Sequence, residues 1–227
     1  MGPQLQQKQL VVNTRSRILN SAGPVFAEKG YRDATVREIC RLARVNVASV
    51  NYHFGDKQRL YIETVKEAHR KRFEQVPSPE WPERAMAVDK LRSFTIALIT
   101  RLIGVEEASW QTRLMMREIL QPTQACEELV RDYFRPQFNI LLDILDEIVP
   151  SSTGVERRHQ IAFSIVGQCV YYRIAESVVG LLVGPSEFKE HFGAAELGEH
   201  IAQFSLAALG ASPPVPAMTD QAKESHC

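Results

Sequence analysis

The chain has 227 residues, of which 44% are hydrophobic and 24% charged, a composition that suits two modest domains with real cores and excludes a low-complexity or collagen-like chain. No apolar run reaches the length of a membrane span, and the opening MGPQLQQKQ has no apolar signal-peptide core, so the protein is expected in the cytoplasm with no membrane partner. The formal net charge of zero hides an asymmetry: residues 1–76 carry 14 Lys+Arg against 7 Asp+Glu, and the remainder carries 13 against 20. A basic first third on an acidic body suits a nucleic-acid-binding head on a regulatory domain.

Helical periodicity runs along the whole chain, and the expected fold class is all-α. Residues 1–12 are Gln-rich and read as loose. The first helix is predicted over 14–28, with Ile18, Ala22, Val25 and Phe26 on one face, a bend at Gly23-Pro24, and Gly30 as its stop. Thr35-Val-Arg-Glu38 reads as a capping box opening a short helix over 35–42. After a four-residue break, Asn46 is an N-cap for a second short helix over 47–53. Gly55-Asp56 breaks the chain again before a longer helix over 57–74. The proline-rich 76–82 is a natural boundary. Beyond it helices are predicted near 83–103, 106–121, 124–149 (kinked or split at Pro136), 155–183 and 195–209. The expected division is a head over 12–74, a helical body over 80–210 and a disordered tail over 211–227.

Two short helices joined by a tight turn form the segment that carries chemistry. A recognition helix needs apolar residues behind it and small or polar groups in front. Val47, Val50 and Phe54 can brace it. Ser49 can hydrogen-bond base edges and Ala48 can touch a thymine methyl. Tyr52, His53 and Lys57 suit phosphate oxygens, which position the protein without specifying sequence. The helix starts at Thr35 and at Gly55-Asp-Lys57 offer backbone N–H groups to phosphates. With Arg37, Arg44, Asn46, Val47 and Asn51, these residues make up the expected DNA-contacting set.

The segment TVREICRLARVNVASVNYHFGDKQRLY resembles the helix-turn-helix of the TetR family of regulators. The features that carry the resemblance are Thr35, the turn at Val45-Asn46, Tyr52-His-Phe54, and Gly55-Asp-Lys57, preceded by ILNSAGPVFAEKGY over 18–31. The run from Asn46 to Gly55 is similar to the CecR-like branch in particular, as are Arg117-Glu118, Pro122-Thr123 and Val166-Gly-Gln168-Cys169. Arg44 departs from the family pattern, which favours glycine in the turn. Position 44 is one where a left-handed backbone is expected, and arginine tolerates that poorly unless it gains a phosphate contact.

The resemblance implies a homodimer on a palindromic double-stranded operator, formed through the helices near 155–183 and 195–209. It also implies release from DNA by a small-molecule effector. Ile161, Ile165, Cys169, Tyr172 and Ala175, with the small Ala162 and Gly167, form a stripe that suits either a partner subunit or an intramolecular core. Leu197, Ile201, Phe204 and Ala208 form a second such row. Trp110, Arg113, Met116, Phe138, Gln168, Tyr171 and Tyr172 are the candidate effector-contacting residues, aromatic and apolar with a few polar anchors.

Other classes are less well served. Cys40, Cys126, Cys169 and Cys227 are scattered without a CxxC pair, so no metal site is expected. No Gly-rich phosphate loop or nucleophile elbow occurs, so neither a cofactor nor an enzymatic role is expected. An architectural DNA-binding protein would bind with weak sequence preference and a steep salt dependence; a long acidic body adds nothing to that. A helical adaptor would not retain DNA at any salt.

Overall fold

The computed structural model describes residues 3–104 and 110–212, with side chains from Thr14 onward. Among the described residues every regular element is helical. The order is α1 (Pro3–Asp33), α2 (Val36–Ala43), α3 (Val47–Phe54), α4 (Lys57–Gln75), α5 (Ala87–Ile103), α6 (Trp110–Leu120) and α7 (Ala125–Leu129). A π-helical turn (Val130–Phe134) follows, then α8 (Arg135–Ile148), α9 (Val155–Ile174), α10 (Glu176–Val183), α11 (Pro185–His191) and α12 (Ala194–Ala208). The tail expected over 211–227 lies, from residue 213, outside the described residues.

By packing, the chain forms two compact units, Met1–Pro77 with Glu106–Gln137, and Ser78–Val105 with Phe138–Cys227. The first unit is built on Ile18, Ala22 and Phe26 of α1, Ile39 and Cys40 of α2, Val50 and Phe54 of α3, and Leu60, Tyr61 and Val65 of α4. Leu114 of α6 and Leu129 of α7 complete the same core. Each fully buried aliphatic side chain contributes roughly 1.5–3 kcal/mol, so α6 and α7 belong energetically with the helices that precede the proline-rich joint.

The second unit packs α5, α8, α9 and α12 around Leu91, Phe94, Leu141, Ile144, Leu145, Ala162, Ile165 and Leu206. Gly198 lets α12 lie close on α5: a Cβ there would sit 2.9 Å from the Ile96 Cα. Of the stripe on α9, Ala162, Ile165 and Cys169 are buried within the unit, while Ile161, Tyr172 and Ala175 are half-buried and Gly167 is exposed. Other apolar side chains are left outside: Phe163, Tyr171 and Ile174 on α9 and Val178, Leu181 and Leu182 on α10, the last two 86% and 76% exposed.

Several predicted boundaries move. The first helix starts at Pro3 rather than at 14, and its helical backbone is interrupted at Gly30 (φ 74°), where its stop was expected. The long helix predicted over 124–149 is three pieces. Pro136 has no N–H to give to the carbonyl four residues back, and the π turn stands just before it, with the Arg135 N–H reaching the Val130 carbonyl. The helix predicted over 155–183 breaks at Ala175 and bends by 75°. Helix α11 was not predicted; Pro185 opens it. No single described helix is long and apolar enough to cross a membrane.

Candidate nucleic-acid interface

The helix-turn-helix is set by local capping. The Thr35 hydroxyl accepts the Glu38 N–H at 3.2 Å, the Asn46 side chain accepts the Ala48 N–H at 3.0 Å, and Asp56 accepts the Arg59 N–H at 2.7 Å. Each satisfies a backbone donor that the first helical turn leaves free. The capping box at α2 is only half made. The Glu38 carboxylate turns instead to the Lys29 ammonium on α1, at 2.7 and 2.8 Å.

The turn between α2 and α3 holds Arg44 at φ 53°, ψ 49°, the left-handed backbone expected there. Among the described residues it is the one non-glycine residue at positive φ. The turn is held from α1 by Arg17, whose guanidinium donates to the carbonyls of Ala43 at 2.6 Å and Arg44 at 3.1 Å. The residues read from sequence left Arg17 out. Its partners are 26 and 27 residues away, and no local pattern marks such a pairing.

Helix α3 is braced from behind by Val50 and Phe54, both buried. Its other face presents Val47, Ala48, Asn51 and Tyr52 to solvent, with Tyr52 78% exposed, while Ser49 and His53 are half-buried. Thr35, Arg37, Arg44 and Asn46 are exposed around it. Among the described residues no carboxylate forms an ion pair with Arg37, Arg41 or Arg44. The surface about α3 is therefore small, polar and positively charged, which is what base edges and phosphates require.

Lys57 is more committed than its sequence position implied. Its ammonium donates to the Arg32 carbonyl at 3.0 Å and lies 4.9 Å from the Tyr31 ring centroid. The start of α4 already carries the Asp56 carboxylate, so a phosphate there would meet a negative charge.

The candidate effector residues lie in different surroundings. Trp110 and Met116 are on α6 in the first unit. The Trp110 ring lies against Gly23, where a Cβ would come within 2.6 Å of it, and Met116 is buried. Arg113 is exposed. In the second unit Phe138 stacks on Phe163 at 4.8 Å and meets His159 at 5.6 Å. Gln168 donates to the Ser164 carbonyl, Tyr171 is exposed, and Tyr172 meets Tyr171 and Phe192. A cleft of about 310 Å³ is lined by other residues, among them His69, Phe73 and Tyr133, with His69 stacked on Phe73 at 4.4 Å and tilted against Tyr133 at 4.2 Å.

Comparison with known proteins places these elements. Residues 18–64 match the family model "Bacterial regulatory proteins, tetR family", and residues 87–209 match "HTH-type transcriptional dual regulator CecR, C-terminal domain". The chain is 22% identical to the dual regulator CecR of Shigella flexneri over 78% of its own length and 82% of that protein's. It is 26% identical to the probable HTH-type transcriptional regulator YttP of Bacillus subtilis, over 60% of this chain and 65% of that one. Among solved structures, a TetR-like transcriptional regulator from Rhodococcus sp. RHA1 superposes with a TM-score of 0.60 at 20% identity, covering 86% of this chain and 96% of that one. FadR from Bacillus subtilis, solved with stearoyl-CoA, gives 0.59 at 18% identity over 85% and 97%. These are regulators rather than enzymes. A capped, basic helix-turn-helix joined to a CecR-type body leaves one assignment: the chain belongs to the TetR family of bacterial transcriptional regulators, in its CecR-like branch.

Proposed function

We propose that the protein acts in the cytoplasm as a homodimeric repressor that reads a palindromic operator with α3 and is released by a small molecule. The observation that carries this reading is the outer face of α3, where small and polar groups stand free above a fully braced helix. Ser49 and Asn51 read base edges, and Ala48 and Val47 take apolar contacts such as a thymine methyl. Arg37, Arg44, Tyr52 and His53 hold phosphates, and Thr35, Asn46 and Lys57 stand at the helix starts where the backbone comes nearest to them. A dimer is supported by the large apolar side chains exposed on α9 and α10, since exposed apolar surface of this kind marks an interaction face. Two copies of α3 about 34–36 Å apart would enter successive major grooves. An effector that binds better to a different spacing of the heads shifts the population away from DNA. Trp110, Arg113, Met116, Phe138, Gln168, Tyr171 and Tyr172 are kept as the candidates for sensing it.

Two substitutions separate base reading from phosphate holding. Ser49→Ala is expected to cost about 1–3 kcal/mol on the cognate site and to relax specificity at one position. Arg37→Ala, at an exposed guanidinium, is expected to weaken binding evenly across sequences and to lower the salt slope by about 1. Wild-type behaviour in both would place the recognition surface elsewhere.

A further inference from the structure

The first 27 residues hold Lys8, Arg15 and Arg17 and no acidic residue; the first carboxylate side chain of the chain is Glu28. Most of that stretch is already helix, since α1 starts at Pro3, whereas the first buried side chain described on it is Ile18. The turns from Pro3 to Asn13 thus continue α1 beyond its packed part, over about 16 Å at the rise of an α-helix. An isolated helix of that length is marginal in water, because its first turn is costly to nucleate. As a continuation of α1 it needs no nucleus of its own, and positions 4–10 hold only Gln, Leu and Lys, which favour the helix.

Contacts along α1 fix where this extension emerges. The C-terminal part of α1 lies against α6: the Arg117 guanidinium donates to the Glu28 carbonyl at 3.0 Å, and the Trp110 ring lies against Gly23. The N-terminal part lies against the recognition helix. Arg17 donates to the Ala43 and Arg44 carbonyls in the turn that leads into α3. Arg15 stands over the Phe54 ring at the other end of α3, 5.2 Å from its centroid, and pairs with Glu63 of α4 at 2.7 Å. Toward its N-terminus, α1 therefore leaves α6 and arrives at both ends of α3, and the extension begins directly beyond Arg15.

Charge runs the same way. Arg17 is exposed, and among the described residues no carboxylate forms an ion pair with it. The positive surface at the turn, with Arg17 and Arg44, is thus continuous with a helix whose sequence holds a lysine and no acid. A polyanion beside α3 complements both.

We propose that the helical extension Pro3–Asn13 is a second DNA-contacting element, which lies on the phosphate backbone flanking the bases read by α3, with Lys8 supplying its charge. This rests on the reading of α3 as the recognition element. Phosphate contacts add affinity without sequence information, so the extension lengthens the footprint and leaves the preferred sequence unchanged.

The test compares the full chain, a variant lacking residues 2–12, and Lys8→Gln, each on duplexes carrying the selected site with minimal flanks or with flanks longer by about 10 base pairs, one helical turn. For the full chain, longer flanks are expected to raise the salt slope by about 1 per bound chain and affinity by about fivefold at 0.15 M salt. The truncated chain should bind both duplexes alike, and Lys8→Gln should lose the added slope. All three should select the same sequence and unfold at the same temperature. Hydrogen exchange of the amides from Pro3 to Asn13 should slow on the long duplex and not on the short one. Lys8→Gln carries the comparison if the truncated chain does not fold. A full chain that binds both duplexes with equal affinity and slope, or a truncated chain that keeps the flank gain, would overturn the proposal. So would a truncated chain that changes oligomeric state and keeps the gain, which would place Leu5, Leu10, Val11 and Val12 against a second copy instead. A full chain that selects no sequence would overturn the recognition reading; the salt slope on random-sequence DNA would then decide the extension alone, supported by a fall of about 1 on truncation and overturned by no change.

Discussion

Arg44 occupies a backbone position that glycine fills at less cost. A left-handed conformation costs a residue with a Cβ roughly 1–2 kcal/mol, and Arg17 secures it by hydrogen bonds to two carbonyls of the turn. An arginine kept there against that strain, exposed and without an ion-pair partner among the described residues, fits a phosphate contact. Arg44→Gly is therefore expected to raise stability by about 1 kcal/mol while lowering DNA affinity evenly and reducing the salt slope by about 1. Thermal unfolding and a salt titration of binding measure the two effects. Unchanged affinity would remove Arg44 from the contact set.

The thiol of Cys169 gives a second residue-scale expectation. It is fully buried in α9, and desolvation pushes its pKa from 9.0 up to about 12. Between those values the unfolded chain loses the proton and the folded chain keeps it, so stability falls as pH rises. The loss from this group is about 1.4 kcal/mol per pH unit above 9. Chemical denaturation at pH 8.5 and pH 10 should show a fall that Cys169→Ala reduces, and native Cys169 should resist alkylation at pH 8.5. A slope unaltered by the substitution would contradict this.

At the scale of elements, what was legible followed the range of the interactions. Helices α2, α3 and α4 were placed within a residue or two because Thr35, Asn46 and Asp56 act on donors two or three residues away. The break at Ala175 was missed, since no proline marks it and the apolar pattern continues across it. The attachment of α6 and α7 to the first core was missed as well, because it depends on Leu114, Glu118 and Leu129 finding partners more than 50 residues upstream. On α9, periodicity identified a stripe but could not say which of two apolar faces is covered. The packing of α5 on α12 gives this scale its prediction. A methyl group at Gly198 would meet the Ile96 backbone and the Ile99 side chain, so Gly198→Ala should destabilise the second unit by about 1–3 kcal/mol. A denaturation midpoint equal to wild type would show that α12 can move off α5 freely.

For the whole molecule, the charge asymmetry and the exposed surfaces point the same way. Positive residues stand around α3, and α9 and α10 carry six of the exposed large apolar side chains, from Phe163 to Leu182. On the proposed function, one surface takes DNA and the other a second copy of the chain, which would make a two-headed reader of a two-fold symmetric site. The most direct measurement is selection of bound sequences from a random DNA pool by the purified protein at about 0.15 M salt, followed by the stoichiometry on the recovered site. The account predicts a palindrome with half-site centres about 10 base pairs apart or a multiple of that, holding an even number of chains. Binding without a recovered motif, or a single chain on an asymmetric site, would contradict it.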